Sequence, residues 1–318
     1  MPSKFLYNLR NRFLKPFHTG YLPQKDGHEI YFQQVGNPKG IPVINFHGGP
    51  GGSAGISYAY SYNLKKYRVI LFDQRGCGLT KSKDPLYKNT IQETIKDAKR
   101  LLDYLNIKEK VVVAGCSFGS TCAVLFAETY PKIVRLLLVN AIYLARSQDS
   151  EYLTPISKYF YPDMLDDLYN IAKTKNLDAY FAGLIMSDKN ADVIKAMKYY
   201  KTLERVTGRG ALSYCFKDAE YTDKDITKFK IFMLYQINGA FLKKDQLLKN
   251  ASKIAHIPTE IYQNRWDPCC PPYQAYELHK ALPKSKLHMI AARGHVGEKM
   301  FWQMYLDNLN DYKKELKK

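Results

Sequence analysis

Ser117 lies at the centre of the first pattern in the sequence that could do chemistry. Residues 115–119, GCSFG, fit G-x-S-x-G between the apolar run VVVAG and a run with helical periodicity. In that setting the pattern is typical of a sharp strand-to-helix turn that lifts a serine hydroxyl above a sheet. The amino-terminal end of the following helix also favours developing negative charge. The sequence therefore predicts that Ser117 is a nucleophile.

Asp267 and His295 are the residues expected to activate this serine. Asp267 follows the apolar run at 257–263, and His295 follows the one at 286–292. A serine hydroxyl needs a general base within hydrogen-bond reach and a third group that orients the base. Active sites on open parallel sheets lie at the carboxyl ends of the strands, so all three side chains can meet there. The chain order of serine, acid and histidine predicts His295 as general base and Asp267 as its orienting partner.

A glycine-rich loop, HGGPGG at 47–52, follows the apolar run PVINF. Glycines allow backbone N–H groups to approach an oxygen atom with no side chain between them. We predict that one N–H of this loop joins the N–H of Phe118 in an oxyanion hole for a tetrahedral intermediate.

The same loop allows a second interpretation, that of a dinucleotide-binding protein. Residues 49–54 fit G-x-G-x-x-G/A after a strand, and Asp73 ends the next strand, where a ribose-binding acid would stand. Pro50, however, removes an N–H that a pyrophosphate loop would offer, and the three triad candidates would have no role. We prefer the hydrolase hypothesis and expect no cofactor. No metal is expected either, because the sequence has neither an HExxH pattern nor paired CxxC motifs.

Alternating elements must position these residues. Short apolar runs and helical periodicity alternate over 29–145, which is typical of a mostly parallel sheet. From about 146 to 240 the sequence is rich in Tyr, Lys and Asp, with helical periodicity and no strand pattern. We predict a catalytic core of residues 1–145 and 241–318 that is interrupted by a helical insertion at 146–240. Candidate strands cover 29–35, 42–46, 68–72, 111–115, 135–141, 257–263 and 286–292, and candidate helices lie near 90–105, after Ser117 and near 298–315.

Composition excludes several classes of protein. The formal net charge is +18, but the lysines are spread along the chain and no nucleic-acid-binding motif accompanies them, so we expect no nucleic-acid partner. No run approaches the roughly 20 apolar residues that span a bilayer, so no stable membrane insertion is expected. The six cysteines lack the spacing of a disulfide framework. A reducing, cytoplasmic location is the expectation.

Several short motifs accompany the triad candidates: HGGPG at 47–51, DQRGCG at 73–78, GCSFGST at 115–121, DQLL at 245–248 and RWD at 265–267. Together they resemble the motifs of the proline iminopeptidases, serine aminopeptidases of the α/β-hydrolase superfamily, and the similarity runs from about residue 17 to the C-terminus. The resemblance implies an α/β-hydrolase fold, with a mostly parallel sheet and a helical cap at 146–240 over the site. It also implies that the oxyanion donors are the amides of Phe118 and Gly49, with Gly48 as the alternative.

The resemblance also locates a substrate pocket, and there this sequence departs from the family. Family members hold the ammonium group of the substrate with two carboxylates, and Glu204 stands at the place of the first. Phe232 replaces the second, and Gln236 replaces a phenylalanine that contacts the proline ring. Either another acid of the insertion, Asp218 or Glu220, substitutes, or the enzyme prefers a different acyl substrate.

These considerations predict a cytoplasmic serine aminopeptidase that releases N-terminal proline or another small residue from short peptides. The alternative is an esterase or amidase of the same fold that acts on substrates without a free amine. The two hypotheses share the triad and differ at the candidate substrate-binding residues Glu204, Phe232 and Gln236.

Overall fold

The computed structural model of the chain describes residues 14–150, 155–209, 214–217, 219–297, 299–304 and 306–307. The strands in these residues are β1 (His18–Tyr21), β2 (His28–Glu29), β3 (Tyr31–Gly36), β4 (Ile41–Phe46), β5 (Tyr67–Phe72), β6 (Lys81–Ser82), β7 (Val111–Cys116), β8 (Val134–Asn140), β9 (Thr259–Trp266) and β10 (Ser285–Arg293).

Eight of these strands form one sheet in the order β1-β3-β5-β4-β7-β8-β9-β10. Pairing is parallel from β5 through β4, β7, β8 and β9 to β10, and antiparallel between β1 and β3 and between β3 and β5. The predicted mostly parallel sheet is thus confirmed. Parallel pairing brings the carboxyl ends of β4, β7, β9 and β10 to one edge, which is where ligands bind in open sheets of this kind.

Burial on both faces explains why the central strands read as continuous apolar runs. β7 is buried along its whole length, and β4 is buried from Pro42 onward. Successive side chains of β4 point to opposite faces: Ile44 and Phe46 belong to one hydrophobic cluster, whereas Val43 belongs to another. The sheet therefore separates two layers of core.

Helices cover the sheet and fill the long connection between β8 and β9. α2 is buried at every position except its last, Thr129, because it packs against the middle of the sheet. None of the helices in the described parts of the chain combines the length and apolar character required to cross a lipid bilayer. The helices are α1 (Ile91–Tyr104), α2 (Phe118–Thr129), α3 (Ser147–Ser150), α4 (Pro155–Phe160), α5 (Pro162–Ala172), α6 (Leu177–Ile185), α7 (Asn190–Arg209), α8 (Asp223–Ile237), α9 (Gln246–Lys249) and α10 (Pro272–Ala281), and the short 3₁₀ turns are Ile56–Ser61, Pro131–Ile133, Gly239–Phe241 and Ala251–Ile254.

The helices between β8 and β9 have a hydrophobic cluster of their own. Buried side chains of α5, α6, α7 and α8 form it, among them Met164, Phe181, Met197 and Phe229. α8 begins with a capping box, in which Thr222 and Asp225 each accept a hydrogen bond from the backbone N–H of the other. These helices occupy the stretch that was predicted to be a cap, and the division into residues 1–145, 146–240 and 241–318 stays a prediction.

The sequence expectations agree with the observed elements to within one or two residues at most strand ends. Residues 299–304 are helical, as expected for the last helix, and the remainder of the predicted 298–315 segment lies largely outside the described residues. Of the strands that the sequence did not predict, β1 joins the main sheet; it reads HTGY and is largely exposed, so it carries no apolar run. An edge strand with few buried side chains has no periodic signal to read.

Candidate active site

The turn at Ser117 has a backbone conformation that residues with a side chain rarely adopt. Ser117 has φ 59° and ψ −129° between the end of β7 and the start of α2. Positive φ is uncommon for a residue with a side chain. The glycines two positions away permit the turn, because a Cβ at Gly115 would overlap the backbone of Gly119, and a Cβ at Gly119 would overlap the carbonyl oxygen of Phe46.

Hydrogen bonds pin this turn to the neighbouring strand. The N–H of Ser117 donates to the carbonyl oxygen of Asn140 (3.0 Å), at the end of β8. The hydroxyl of Ser120 donates to the carbonyl oxygen of Ser117 (2.6 Å) and accepts from the N–H of Tyr143 (3.0 Å). The backbone that carries the Ser117 side chain is therefore held by the end of β8 and by the segment that follows it.

Asp267 and His295 meet at the same edge of the sheet, on the loops that follow the adjacent strands β9 and β10. Nδ1 of His295 lies 2.8 Å from Oδ2 of Asp267. The other oxygen, Oδ1, accepts hydrogen bonds from the backbone N–H groups of Cys269 and Cys270, both at 2.9 Å. Nε2 of Gln263 donates to Oδ2 at 3.3 Å. Because an ionised carboxylate only accepts, this arrangement places the proton of the imidazole on Nδ1.

Charge and burial act in opposite directions on this pair. Burial raises the pKa of Asp267 above its usual range, and the hydrogen bond and charge of His295 oppose that rise. Burial alone would lower the pKa of His295, but the Asp267 carboxylate and the Cys269 side chain together outweigh it and raise the pKa of the imidazole well above its ordinary value. The pair therefore favours a positive imidazolium, the species that forms when a histidine removes a proton from a hydroxyl.

The remaining ring nitrogen of His295, Nε2, is buried and has no hydrogen-bond partner among the residues that the structure describes. A buried polar atom without a partner is rare and calls for an explanation. The pair also acts on the turn at Ser117: burial raises the pKa of the preceding thiol, Cys116, to about 12, His295 lowers it and Asp267 raises it. Asp267 and His295 are thus close enough to the residue before Ser117 to act on its thiol.

The glycine-rich loop after β4 is held by residues of the loop after β5. His47 lies with Nδ1 2.8 Å from the carbonyl oxygen of Gly48, and its Nε2 accepts from the N–H of Gln74 (3.1 Å). The side chain of Gln74 donates to the carbonyl oxygen of His47 (3.0 Å). Burial lowers the pKa of His47, which favours the neutral ring that can accept at Nε2.

Asp73 holds the far end of the same loop. It is buried, and its two oxygens accept from the N–H groups of Ala54 (2.6 Å) and Leu79 (2.8 Å). A carboxylate committed to two backbone donors inside the protein is not available to a ribose. The geometry of Asp73 therefore speaks against the dinucleotide-binding interpretation.

Of the two glycines considered as oxyanion donors, Gly48 lies directly against the serine turn. A Cβ on Gly48 would come within 3.1 Å of the carbonyl oxygen of Cys116 and 3.3 Å of Cβ of Ser117. Gly49 has φ +127° and precedes a cis peptide bond to Pro50. Phe118 is the first residue of α2, and the first N–H groups of a helix have no partner within it.

Helix α8 of the insertion lies over this loop and over the serine turn. The rings of Phe118 and Tyr235 meet edge to face with centroids 5.0 Å apart. The hydroxyl of Tyr235 donates to Oδ1 of Asn89 in the core (3.1 Å). A Cβ on Gly51 would come within 2.5 Å of the carbonyl oxygen of Lys228. One helix of the insertion thus contacts both parts of the candidate site.

Phe232 and Gln236, two of the predicted substrate-binding residues, lie four residues apart on α8 and have different neighbours. Phe232 is half-buried in the hydrophobic cluster of the insertion, with its ring 5.9 Å from that of Tyr200. Gln236 accepts a long hydrogen bond from the hydroxyl of Tyr143 (3.5 Å). Glu204 belongs to α7, but its side chain lies outside what the structure describes, as does Asp218. Glu220, the other alternative, is exposed.

Gln236 also lines a cavity of about 700 Å³ between the insertion and the core. Asp178 is the acid among its lining residues. Its lining combines aromatic, apolar and basic side chains, including Tyr200, Met233, Arg146, Lys243 and Lys244.

Sequence reasoning missed the groups that hold the triad candidates in place. The two amides that bind Asp267 belong to Cys269 and Cys270, and an aspartate that accepts from the N–H groups two and three residues ahead is a common turn arrangement. The sequence Asp-Pro-Cys-Cys could have indicated it. No local signal marks the contacts of Gln263 or Gln74, which depend on segments remote in sequence.

Known proteins share both this fold and this sequence pattern. The family described as the alpha/beta hydrolase fold matches residues 41–297. An alpha/beta fold family hydrolase from Bacillus anthracis str. Sterne is similar in structure, with a TM-score of 0.60 at 17% identity, covering 93% of this chain and 99% of that one. The proline iminopeptidase-related protein of Thermus thermophilus has a TM-score of 0.57 at 19% identity, covering 94% and 96% of the two chains. The chain therefore belongs to the α/β-hydrolase fold family.

Sequence comparison is more specific. The chain is 35% identical over 305 residues to a "Probable proline iminopeptidase" of Leptolyngbya boryana, with 89% of both sequences covered. It is 33% identical over 288 residues to the proline iminopeptidase of Neisseria gonorrhoeae, covering 88% of this chain and 91% of the relative. Within the α/β-hydrolases, the chain belongs to the proline iminopeptidase family.

Proposed function

We propose that this protein is a serine aminopeptidase that releases N-terminal proline or another small residue from short peptides. Ser117 is the nucleophile, His295 the general base and Asp267 the group that orients the base. One observation carries the proposal: His295 is bound to Asp267 through Nδ1, while its Nε2 lies buried and without a described partner at the edge of the sheet that bears Ser117. Family membership supports the substrate class, since the relatives are named for that activity.

The chemistry follows from this arrangement. Oγ of Ser117 attacks the carbonyl carbon of the first residue while Nε2 of His295 takes the hydroxyl proton. The tetrahedral intermediate collapses when the imidazolium passes that proton to the leaving amine, and an acyl-enzyme remains. Water then attacks the acyl-enzyme while the same nitrogen takes its proton, and the imidazolium returns that proton to Oγ of Ser117 as the acid product leaves. Asp267 keeps the ring oriented throughout and stays ionised.

The negative oxygen of the intermediate is held by backbone N–H groups. The amide of Phe118 supplies one, because it begins α2 directly after the nucleophile. The amide of Gly49 is the proposed second donor and that of Gly48 the alternative, which gains support from the close approach of Gly48 to Ser117. Each such donor typically lowers the barrier by about 2.7–4 kcal/mol.

Recognition of a free amino group requires an acid near the bound substrate. Glu204 on α7 is the proposed partner of the substrate ammonium, because a carboxylate facing a cation in a water-poor site forms a strong, charge-assisted hydrogen bond. Phe232 and Gln236 are proposed to line the side-chain pocket. Short peptides are the expected substrates, because helices of the insertion lie over the site.

A second candidate function is hydrolysis of esters or amides that lack a free amine. One observation favours it: Phe232 packs among aromatic rings at the position where a second carboxylate was expected. With one acid fewer, binding of an ammonium group weakens and binding of an apolar acyl group strengthens.

The two candidates separate in a direct assay. Proline naphthylamide and a short-chain nitrophenyl ester are offered to the protein, with Ser117→Ala as the control for both. Turnover of the prolyl substrate supports the aminopeptidase, whereas turnover of the ester alone removes that assignment. A residual rate in Ser117→Ala equal to that of the unchanged protein would remove Ser117 as nucleophile.

The proposed role of Glu204 has its own test. Glu204→Gln should raise KM for substrates with a free amine and leave KM nearly unchanged for amine-blocked analogues. An equal effect on both substrate types would remove the role.

For localisation we propose the cytoplasm. All six cysteines lie in the described part of the chain and none of them forms a disulfide there, which fits a reducing compartment. Fractionation of the source cells with an antibody to the protein would test this directly.

A further inference from the structure

Two thiols lie beside the imidazole of the candidate active site, and the peptidase mechanism uses neither. Sγ of Cys269, Sγ of Cys270 and a ring nitrogen of His295 all lie within 4.8 Å of one another. Cys270 is buried and Cys269 is half-buried. Thiols and imidazole are the ligands that soft and borderline divalent cations select.

The backbone explains why both thiols face the same ring. The N–H groups of Cys269 and Cys270 both donate to Oδ1 of Asp267, so the turn after β9 curls around the carboxylate. The other oxygen of that carboxylate binds His295.

Small movements of these three side chains would let them hold a zinc-class ion. Zinc binds sulfur at about 2.3 Å and imidazole nitrogen at about 2.0–2.1 Å, so two ligand atoms on one tetrahedral ion are roughly 3.5–3.8 Å apart. Both sulfur atoms and a ring nitrogen of His295 lie within 4.8 Å of one another, so rotation of the side chains is needed to bring the three ligands onto one ion. Nε2 is the nitrogen that remains for an ion, because Nδ1 is bound to Asp267. Histidines that bind zinc commonly hold a carboxylate with their other nitrogen in this way.

We propose that Cys269, Cys270 and His295 form a binding site for a zinc-class divalent cation, and that its occupation reversibly inhibits the enzyme. Each thiol releases one proton to solvent as its sulfur binds, and His295 contributes the lone pair of Nε2. An imidazole whose Nε2 lone pair is donated to an ion cannot accept the proton of Ser117. A thiol that coordinates such an ion is deprotonated by it.

The site differs from a catalytic zinc site in what the ion would do. It would occupy the general base instead of activating water, so chelators should leave the activity unchanged or raise it. Inhibition by the ion rests on the proposed role of His295 as general base. Binding of the ion does not depend on that role, so binding and inhibition are measured separately.

Binding is measured first, with Cd²⁺ as the probe. The chelator-treated protein is titrated with Cd²⁺ while the ultraviolet thiolate-to-cadmium absorbance is followed, and Zn²⁺ is then added in competition. We expect saturation at one equivalent in the unchanged protein and in Ser117→Ala, with Mg²⁺ unable to compete. Cys269→Ala and Cys269→Ser should each weaken binding by at least about tenfold. Even the loss of a group that only supports a metal ligand typically lowers metal affinity by that factor. Cys215→Ala is the matched control, because Cys215 is exposed and outside the cluster.

Inhibition is measured next, with each variant normalised to its own rate without metal. Zn²⁺ should inhibit the unchanged protein and Cys215→Ala alike, a chelator should restore the rate, and Cys269→Ala should require at least about ten times more Zn²⁺. Cadmium binding that persists unweakened in both Cys269 variants, or that is lost in Cys215→Ala, overturns the site. One-equivalent binding without inhibition overturns the inhibitory role, and it also counts against His295 as general base. If the protein does not cleave prolyl substrates, the aminopeptidase assignment fails but the metal site is still tested. Binding is measured by absorbance, and inhibition can be measured with the ester substrate.

Discussion

The ring of Phe118 meets the ring of Tyr235 edge to face, with an angle of 74° between their planes. Phe118 follows Ser117 directly, and Tyr235 belongs to helix α8 of the insertion, so this contact joins the insertion to the nucleophile turn. The hydroxyl of Tyr235 reaches further, to Asn89 in the core. Through Tyr235, helix α8 therefore contacts both the residue after Ser117 and the core.

Tyr235→Leu should destabilise the protein and slow catalysis together. It removes an aromatic pair worth about 0.5–1.5 kcal/mol and a buried hydrogen bond worth about 0.5–1.5 kcal/mol. Urea unfolding and kcat on the same samples measure both effects. Tyr235→Phe is the control, because it keeps the ring and loses only the hydrogen bond. Equal kcat values in the two variants would show that the ring contact does not contribute to catalysis.

Asp267→Asn should lower kcat by about 10⁴-fold while leaving the fold intact. An amide at this position can donate to Nδ1 of His295, which stabilises the tautomer that has no lone pair available at Nε2. The amides of Cys269 and Cys270 keep an oxygen to bind, so urea unfolding should change little. A loss of less than about tenfold would contradict the orienting role, given the size expected for such a substitution.

The pH profile of kcat/KM should rise with a midpoint above about 6.5, the ordinary histidine value. His295 must be neutral to accept a proton, and the Asp267 carboxylate raises its pKa, so the active fraction is lost as the pH falls through that raised value. In Asp267→Asn the midpoint should move to lower pH, because the negative charge is gone. Glu260→Gln is the matched control: Glu260 also binds a histidine, His288 (2.6 Å), yet outside the site, so its loss should leave the profile unmoved.

Asp73→Asn should loosen the glycine-rich loop. Both oxygens of Asp73 accept from backbone N–H groups, and an amide nitrogen facing one of those groups leaves a buried donor unpaired at a cost of about 1–3 kcal/mol. The free energy of unfolding should fall by that amount and kcat should fall with it. Asp103→Asn, on the exposed face of α1, serves for comparison and should cost about 0–1 kcal/mol. Similar losses in both variants would show that Asp73 has no special role.

The strands of the parallel sheet could be predicted from the sequence, because strands that are buried on both faces have continuous apolar runs. The segments around Val113, Leu138 and Ile261 are buried in this way, and each was predicted as a strand. Once the strands are placed, their carboxyl ends locate Ser117, Asp267 and His295, because parallel pairing leaves one edge at which such loops can converge.

Other features depend on contacts that no local pattern encodes. The glycine-rich loop shows that its backbone can approach an anion, but its orientation depends on Gln74 and Asp73, which lie on another loop. A sequence pattern therefore leaves Gly48 and Gly49 as alternatives. The sequence likewise does not mark the neighbouring cysteines 269 and 270 as ligands. Their closeness to His295 becomes visible only in the structure, where the turn around Asp267 places both beside the ring.

Gly51 touches the carbonyl oxygen of Lys228 so closely that a side chain has no room there. A single methyl group at this position would act as a wedge between two segments that are remote in the sequence. A substitution at Gly51 would therefore change the shape of the glycine-rich loop and the seating of helix α8 together. Under the proposed function, such a substitution would alter rate and substrate preference at once.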